Sequence, residues 1–178
     1  MKTKKIDLKK YIREIPDWPV KGINFKDITI LLQNPKVFKY TVDEMCQPFL
    51  SQKIDKIVAI DARGFLFAAP MAYKMNCGIS LVRKKGKLPY KIIEKEYQKE
   101  YGVDILTMHQ DAIKKGEKIL IVDDLLATGG TIEATIEMVE SLGGKIVGMS
   151  FIIDLPFLGG SRKLKNYNLK YLIKYDSE

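Results

Sequence analysis

The residues Val122-Asp123-Asp124-Leu125-Leu126-Ala127-Thr128-Gly129-Gly130-Thr131 stand directly after an apolar run, Lys118-Ile119-Leu120-Ile121-Val122, and directly before a segment of helical periodicity. Gly129 and Gly130 let the backbone turn back on itself. Successive N–H groups and the Thr128 and Thr131 hydroxyls then converge on one anion at the positive end of the helix. Such a donor set suits a phosphate monoester. Asp123 and Asp124 would be costly buried neighbours unless something polar meets them, and at a strand tip two carboxylates can accept hydrogen bonds from the vicinal hydroxyls of a ribose. Phosphate and diol together describe a ribose 5-phosphate. A bare Gly-Gly would be only a tight turn and the aspartates only helix caps; the whole order of strand, acidic pair, Thr-Gly-Gly-Thr and helix favours a binding loop. The loop is neither a Walker A sequence, since Gly-Lys-[Ser/Thr] is missing, nor a GxGxxG dinucleotide fingerprint.

The elements that must position this loop are legible from period and punctuation. Residues 35–50 carry Val37, Phe38, Val42, Met45 and Phe49 on one helical face, with Pro48 ending or kinking the helix. Lys56-Ile57-Val58-Ala59-Ile60 reads as a buried strand, followed after Asp61-Ala62-Arg63-Gly64 by a helix over 65–75 and a strand over 79–83. A second unit comprises strand 118–122, loop 123–130, helix 131–142 stopped by Gly143-Gly144, and strand 146–153, with an edge strand over 169–175. Strands alternating with helices in this way predict an α/β fold, a mostly parallel central sheet flanked by helices. Ligands of such sheets bind beyond the carboxyl ends of the strands, where both loops lie. Residues 84–102, rich in Lys, Glu and Tyr, read as a mobile flap or hairpin. The first 34 residues, with Pro16, Trp18, Pro19 and Gly22, read as an ordered cap without regular structure. No repeat or linker divides the chain, so one domain over 1–178 is expected.

Composition narrows the chemistry less than the motifs do. The chain has 178 residues, 46% hydrophobic and 29% charged, and its 30 Lys and Arg against 22 Asp and Glu give a formal net charge of +8. Disorder is excluded by the ordinary hydrophobic share. The positive surplus suits nucleic acid, a membrane surface or a small polyanion, and charge alone does not choose. Met1-Lys2-Thr3-Lys4-Lys5 starts basic, but Ile6-Asp7-Leu8-Lys9-Lys10 places charges where a signal peptide needs an apolar core. No apolar run is long enough to span a bilayer. Cys46 and Cys77 lack any metal-binding spacing, so a reducing, cytoplasmic setting is expected, without membrane or nucleic-acid partners.

The loop resembles the phosphoribosyl pyrophosphate signature of the type I phosphoribosyltransferases, and its Leu125-Leu126-Ala127 variant resembles the adenine-using branch of that family. Three further blocks in the same order carry the resemblance: Pro16-Asp17-Trp18-Pro19-Val20-Lys21-Gly22-Ile23-Asn24-Phe25-Lys26-Asp27-Ile28, then Ala62-Arg63-Gly64-Phe65-Leu66-Phe67, and Arg83-Lys84-Lys85-Gly86-Lys87-Leu88-Pro89 leading to Glu100-Tyr101-Gly102. It implies transfer of a phosphoribosyl group from 5-phospho-α-D-ribose 1-diphosphate to adenine, giving AMP and diphosphate, with Mg²⁺ carried by the substrate and a homodimeric enzyme. A phosphoribosyltransferase for another purine or orotate, or a regulatory module sensing phosphoribosyl pyrophosphate, are the competing readings. The Pro-rich N-terminal region gives no helix-turn-helix for such a regulator.

The resemblance also distributes roles. Asp123, Asp124, Ala127, Thr128, Gly129, Gly130 and Thr131 are implied to hold the ribose and its 5′-phosphate. Arg63, Gly64, Arg83, Lys84 and Lys87 are implied to hold diphosphate. Physically, Gly64 permits close backbone approach and Arg63 supplies a planar charged fork, although a surface Arg and a solvated basic run are the plain alternatives. Phe25 is implied to stack on adenine in a base-binding hood over 1–34, with the backbone of Asn24 and Lys26 reading the base edge; Lys26 stands where the family often carries Arg. Glu100, with Tyr101, is implied to be the acid/base group on a flexible catalytic flap over 84–102. His109, the only histidine, reads as structural or surface.

Overall fold

The computed structural model of the chain describes residues 5–98 and 103–177. Five parallel strands form the centre of its main sheet. In chain order they are β3 (Lys56–Ile60), β4 (Gly78–Lys84), β7 (Lys118–Val122), β9 (Lys145–Asp154) and β10 (Leu169–Lys174). Across the sheet they run β4-β3-β7-β9-β10, so the chain leaves β3 in one direction to reach β4 and in the other to reach β7. The gap between the carboxyl ends of β3 and β7 is therefore a topological switch point. The short strand β8 (Leu125–Leu126) pairs with β9.

Alternation along the strands divides the core into two layers. Ile57 and Ala59 of β3 and Leu120 and Val122 of β7 face the helices α2 (Pro35–Cys46) and α3 (Arg63–Met75), where Val42, Met45, Phe67 and Met71 complete one cluster. Val58, Ile60, Ile119 and Ile121 face the opposite way, against Ile132, Ile136 and Val139 of α4 (Gly130–Ser141). Helix α2 starts where the Asn34 side chain accepts hydrogen bonds from the Lys36 and Val37 N–H groups, with Pro35 in the first turn. After it, the Phe49 ring fills the space a side chain would need at Gly148 of β9, and Phe49 is fully buried.

Two regions carry more regular structure than the sequence suggests. The first 34 residues contain a 3₁₀ turn (Leu8–Tyr11), the antiparallel pair β1 (Arg13–Ile15) and β2 (Phe25–Asp27), and the short helix α1 (Thr29–Gln33). The prolines and glycine lie between β1 and β2, so they punctuate a ribbon rather than prevent one. In the 84–102 segment, β5 (Ile92–Gln98) pairs antiparallel with β6 (Val103–His109), and β6 continues onto β4 through Arg83↔Thr107. Here Ile93 and Tyr97 pack on the α4 cluster with Lys95 between them paired to Glu137 of α4, while Glu94 and Glu96 alternate to the other face, so the strand carries no apolar run. His109 Nε2 lies 2.6 Å from the Pro89 carbonyl oxygen and ties the segment before β5 to the end of β6, a structural role.

Replacing Phe49 by Ala empties the slot over Gly148 and is expected to lower stability by about 3–5 kcal/mol, read as a drop in the urea unfolding midpoint.

Candidate active site

At the switch point β7 is followed directly by Asp123 and Asp124. Asp124 is 4% exposed. Burial pushes both carboxyls above the ordinary aspartate range; the neighbouring charge of Asp124 adds to the effect on Asp123, whereas Arg63 opposes it at Asp124. The Asp124 N–H donates to Asp123 Oδ1 at 2.9 Å. Arg63 Nε forms an ion pair with Asp124 Oδ2 at 2.9 Å, off the axis of a hydrogen bond, so this buried oxygen keeps an open acceptor position.

Arg63 begins α3 and reaches three groups. Besides Asp124, it donates through a terminal guanidinium nitrogen to the Lys26 carbonyl oxygen at 3.2 Å, and its guanidinium carbon lies 4.9 Å from the centroid of the Phe25 ring. The strand end with the acid pair and the ribbon with the aromatic face are thus joined through one side chain. Phe25 is steadied by Trp18, edge-on at 4.5 Å. Gly64 makes the approach possible: a Cβ there would lie 2.8 Å from Asp123 Oδ1 and 3.0 Å from the Val122 carbonyl oxygen. The Asp61–Ala62 peptide bond just ahead is cis.

The loop after the acid pair enters α4 through Gly129, whose φ of 86° is left-handed and whose missing side chain leaves the helix start without a side-chain cap. Its unpaired first-turn N–H groups suit an anion. Outside support comes from Gly160, at the start of the short helix α5 (Gly160–Lys163). The Gly160 N–H donates to the Ala127 carbonyl oxygen at 3.0 Å, and a side chain at Gly160 would collide with that oxygen. Sequence reasoning missed this partner, although the pair Gly159-Gly160 is itself a signal of close packing.

The basic residues divide by environment. Arg83 Nε donates to Asp61 Oδ2 at 3.0 Å and a terminal nitrogen donates to the Lys87 carbonyl oxygen at 3.1 Å, so Arg83 braces the 61–64 loop against the turn after β4. Lys84 pairs with Asp104 at 3.5 Å and, with Arg63, Asp61, Asp123, Asp124 and Thr131, lines a cavity of about 220 Å³. Lys87 is exposed on the turn after β4. Tyr97 of the hairpin also lines this cavity, a residue the sequence did not single out. Thr128 and Gly130 open instead on a larger recess of about 800 Å³ along α4. That recess is lined by Glu133, Glu137 and Glu140 and shares Tyr97 with the smaller cavity, which holds the acid pair. The Lys26 side chain is turned away from the site and buried, its Nζ 2.6 Å from Glu14 Oε2. Asn24 Nδ2 donates to the same Glu14 oxygen at 2.8 Å, leaving Asn24 Oδ1 buried without a partner. Glu100 and Tyr101 lie outside the described residues.

An acid pair at a switch point, beside an uncapped helix start and ringed by Arg and Lys, defines a class of phosphosugar-binding enzyme. The chain belongs to the phosphoribosyl transferase family, whose domain model matches residues 28–173. The adenine phosphoribosyltransferase of Brachyspira hyodysenteriae is 57% identical over 170 residues, covering 96% of this chain and 100% of the relative. Among solved structures, adenine phosphoribosyltransferase from Thermoanaerobacter pseudethanolicus is similar with a TM-score of 0.92 and 49% identity, covering 95% of this chain and 98% of that one. The Giardia lamblia enzyme complexed with 9-deazaadenine gives a TM-score of 0.90 at 30% identity, covering 95% and 96%.

Because the folded pKa of Asp123 is raised above 3.8, the folded protein binds this proton more tightly than the unfolded chain. Stability is therefore gained as pH falls through that raised value and lost as pH rises through it. In thermal melts without ligand, Asp123→Asn is expected to melt above the wild type at pH 8, the difference closing as the buffer is acidified.

Proposed function

We propose that this chain is an adenine phosphoribosyltransferase that joins adenine to 5-phospho-α-D-ribose 1-diphosphate, giving AMP and diphosphate, a purine-salvage reaction. One observation carries the reading: Arg63 connects the buried acid pair to the Phe25 face, so a sugar held at the carboxylates has its anomeric carbon directed towards a base held on the ring. Names borne by relatives over nearly the full chain length support the same base.

The 5′-phosphate binds the N–H groups and hydroxyls of Ala127, Thr128, Gly129, Gly130 and Thr131 at the α4 start, and the ribose hydroxyls bind Asp123 and the open acceptor position of Asp124. Diphosphate is met by Arg63 and Gly64, with Arg83, Lys84 and Lys87 supplying further positive charge. When diphosphate binds, it competes with Asp124 for Arg63, and the released carboxylate is then free for the sugar. Adenine stacks on Phe25 while the backbone of Asn24 and Lys26 reads its edge, which discriminates by hydrogen-bond pattern. Glu100 takes the proton that adenine loses as its nitrogen bonds to the anomeric carbon with inversion, and Tyr101 closes with it to exclude water. Mg²⁺ carried by the substrate would keep several waters, and Asp123 and Asp124 would accept hydrogen bonds from that water shell. Such an ion would supply charge neutralisation at the leaving diphosphate, beside the Arg63 guanidinium.

A homodimer accords with one apolar strip. Leu66, Ala69 and Tyr73 share the outer face of α3, and the β3 register places Ile79 and Leu81 of β4 on the same side of the sheet. Tyr73 is 91% exposed. Tyr73→Glu is expected to shift sedimentation from dimer to monomer.

Incubation with phosphoribosyl pyrophosphate, Mg²⁺ and each base in turn should yield nucleotide from adenine alone; product from hypoxanthine, guanine, xanthine or orotate instead would replace the base assignment, and none from any base would favour a sensor. Glu100→Gln is expected to lower kcat by about 10²–10⁴-fold with KM values nearly unchanged, measured by steady-state kinetics.

A further inference from the structure

Lys26 is 2% exposed and among the largest side chains the fold buries. An ammonium so placed is costly unless it is paired. Its partners come from two distant parts of the chain. Glu14 Oε2 lies 2.6 Å from Nζ, and the centroid of the Tyr175 ring lies 4.4 Å from it. Tyr175 follows β10, where its N–H donates to the Asp154 carbonyl oxygen at 3.1 Å, and Lys9 Nζ lies 4.8 Å from the same ring. The C-terminal strand end thus reaches beneath the base-binding ribbon and holds it from below.

The ribbon depends on that hold. It comprises three pairs, Arg13↔Asp27, Glu14↔Lys26 and Ile15↔Phe25. A two-stranded ribbon this short has little stability of its own. Successive strand residues face opposite ways, so Lys26 held below is what keeps Phe25 above, and a slip of one residue would exchange them. Glu14 also accepts from Asn24 Nδ2 at 2.8 Å, so one carboxylate orients both residues that flank Phe25.

We propose that Glu14 and Tyr175 are positioning residues for the base site, clamping the Lys26 ammonium beneath β2 and so fixing the register that presents Phe25 and the Asn24 and Lys26 backbone to the base. The inference rests on the reading that the base binds at Phe25, and the two are tested apart.

Glu14→Gln strands a buried ammonium. It is expected to raise KM for the base about tenfold while KM for phosphoribosyl pyrophosphate stays within about twofold. Adding Lys26→Met removes the stranded charge and should return the base KM to within about threefold of wild type. Tyr175→Leu should show the same one-sided rise at smaller magnitude. An equal rise in both KM values, no change in either, or no recovery in the double variant would overturn the clamp. The single tryptophan, Trp18, packs on Phe25 and gives a readout without turnover. Its emission should move to the red in Glu14→Gln and return in the double variant, and an unmoved emission also overturns the clamp. If the wild type forms no AMP from adenine, the base assignment fails while the Trp18 emission still decides the clamp.

Discussion

Two adjacent carboxylates held at the buried end of a central strand set the terms for everything around them. Asp123 and Asp124 repel each other, the first half-buried and the second buried, and the fold relieves this through the Asp124 N–H and the guanidinium of Arg63. A buried acid pair is an unfavourable way to end a strand unless a ligand completes it. The arrangement thus stores in the empty protein a demand for hydroxyl donors and cations. A phosphorylated sugar diphosphate would supply the hydroxyl donors.

Close approach is the second constraint, and it is met by removing side chains. At Gly64 a Cβ would press on Asp123, and at Gly160 it would strike the Ala127 carbonyl oxygen. Each glycine lets a separate element, α3 or α5, lean against the loop after β7. The loop is thereby fixed from both sides by backbone, which changes shape less than side chains do. Its N–H groups are aimed before any anion arrives, so binding loses little to ordering.

The alternating strands and helices were legible because each depends on spacing between near neighbours. Ile57 and Val58 face different layers for the same reason that the run reads as a strand. The loop over 123–131 was legible as a turn into a helix start because its glycines and the α4 start lie within nine consecutive positions. The hairpin was harder, since β5 mixes Glu and Lys with the few residues, Ile93 and Tyr97, that pack on α4. The β1–β2 ribbon was hidden because its pairing joins residues ten to fourteen positions apart across Pro16 and Pro19.

From the sequence alone came the strand ends, the loops beyond them and the chemical kinds of group those loops could offer, and the +8 charge gained a local meaning at Arg63 and Lys84. Tertiary structure alone decided what each group faces. Lys26, flanking the aromatic face in sequence, points away from it to Glu14 and Tyr175, while Arg63 spans from Phe25 to Asp124. Such partnerships join positions far apart in the chain, and their existence depends on the direction of a side chain and on what burial leaves beside it. Local spacing encodes which face a residue takes, but only the packed fold determines which charge waits there.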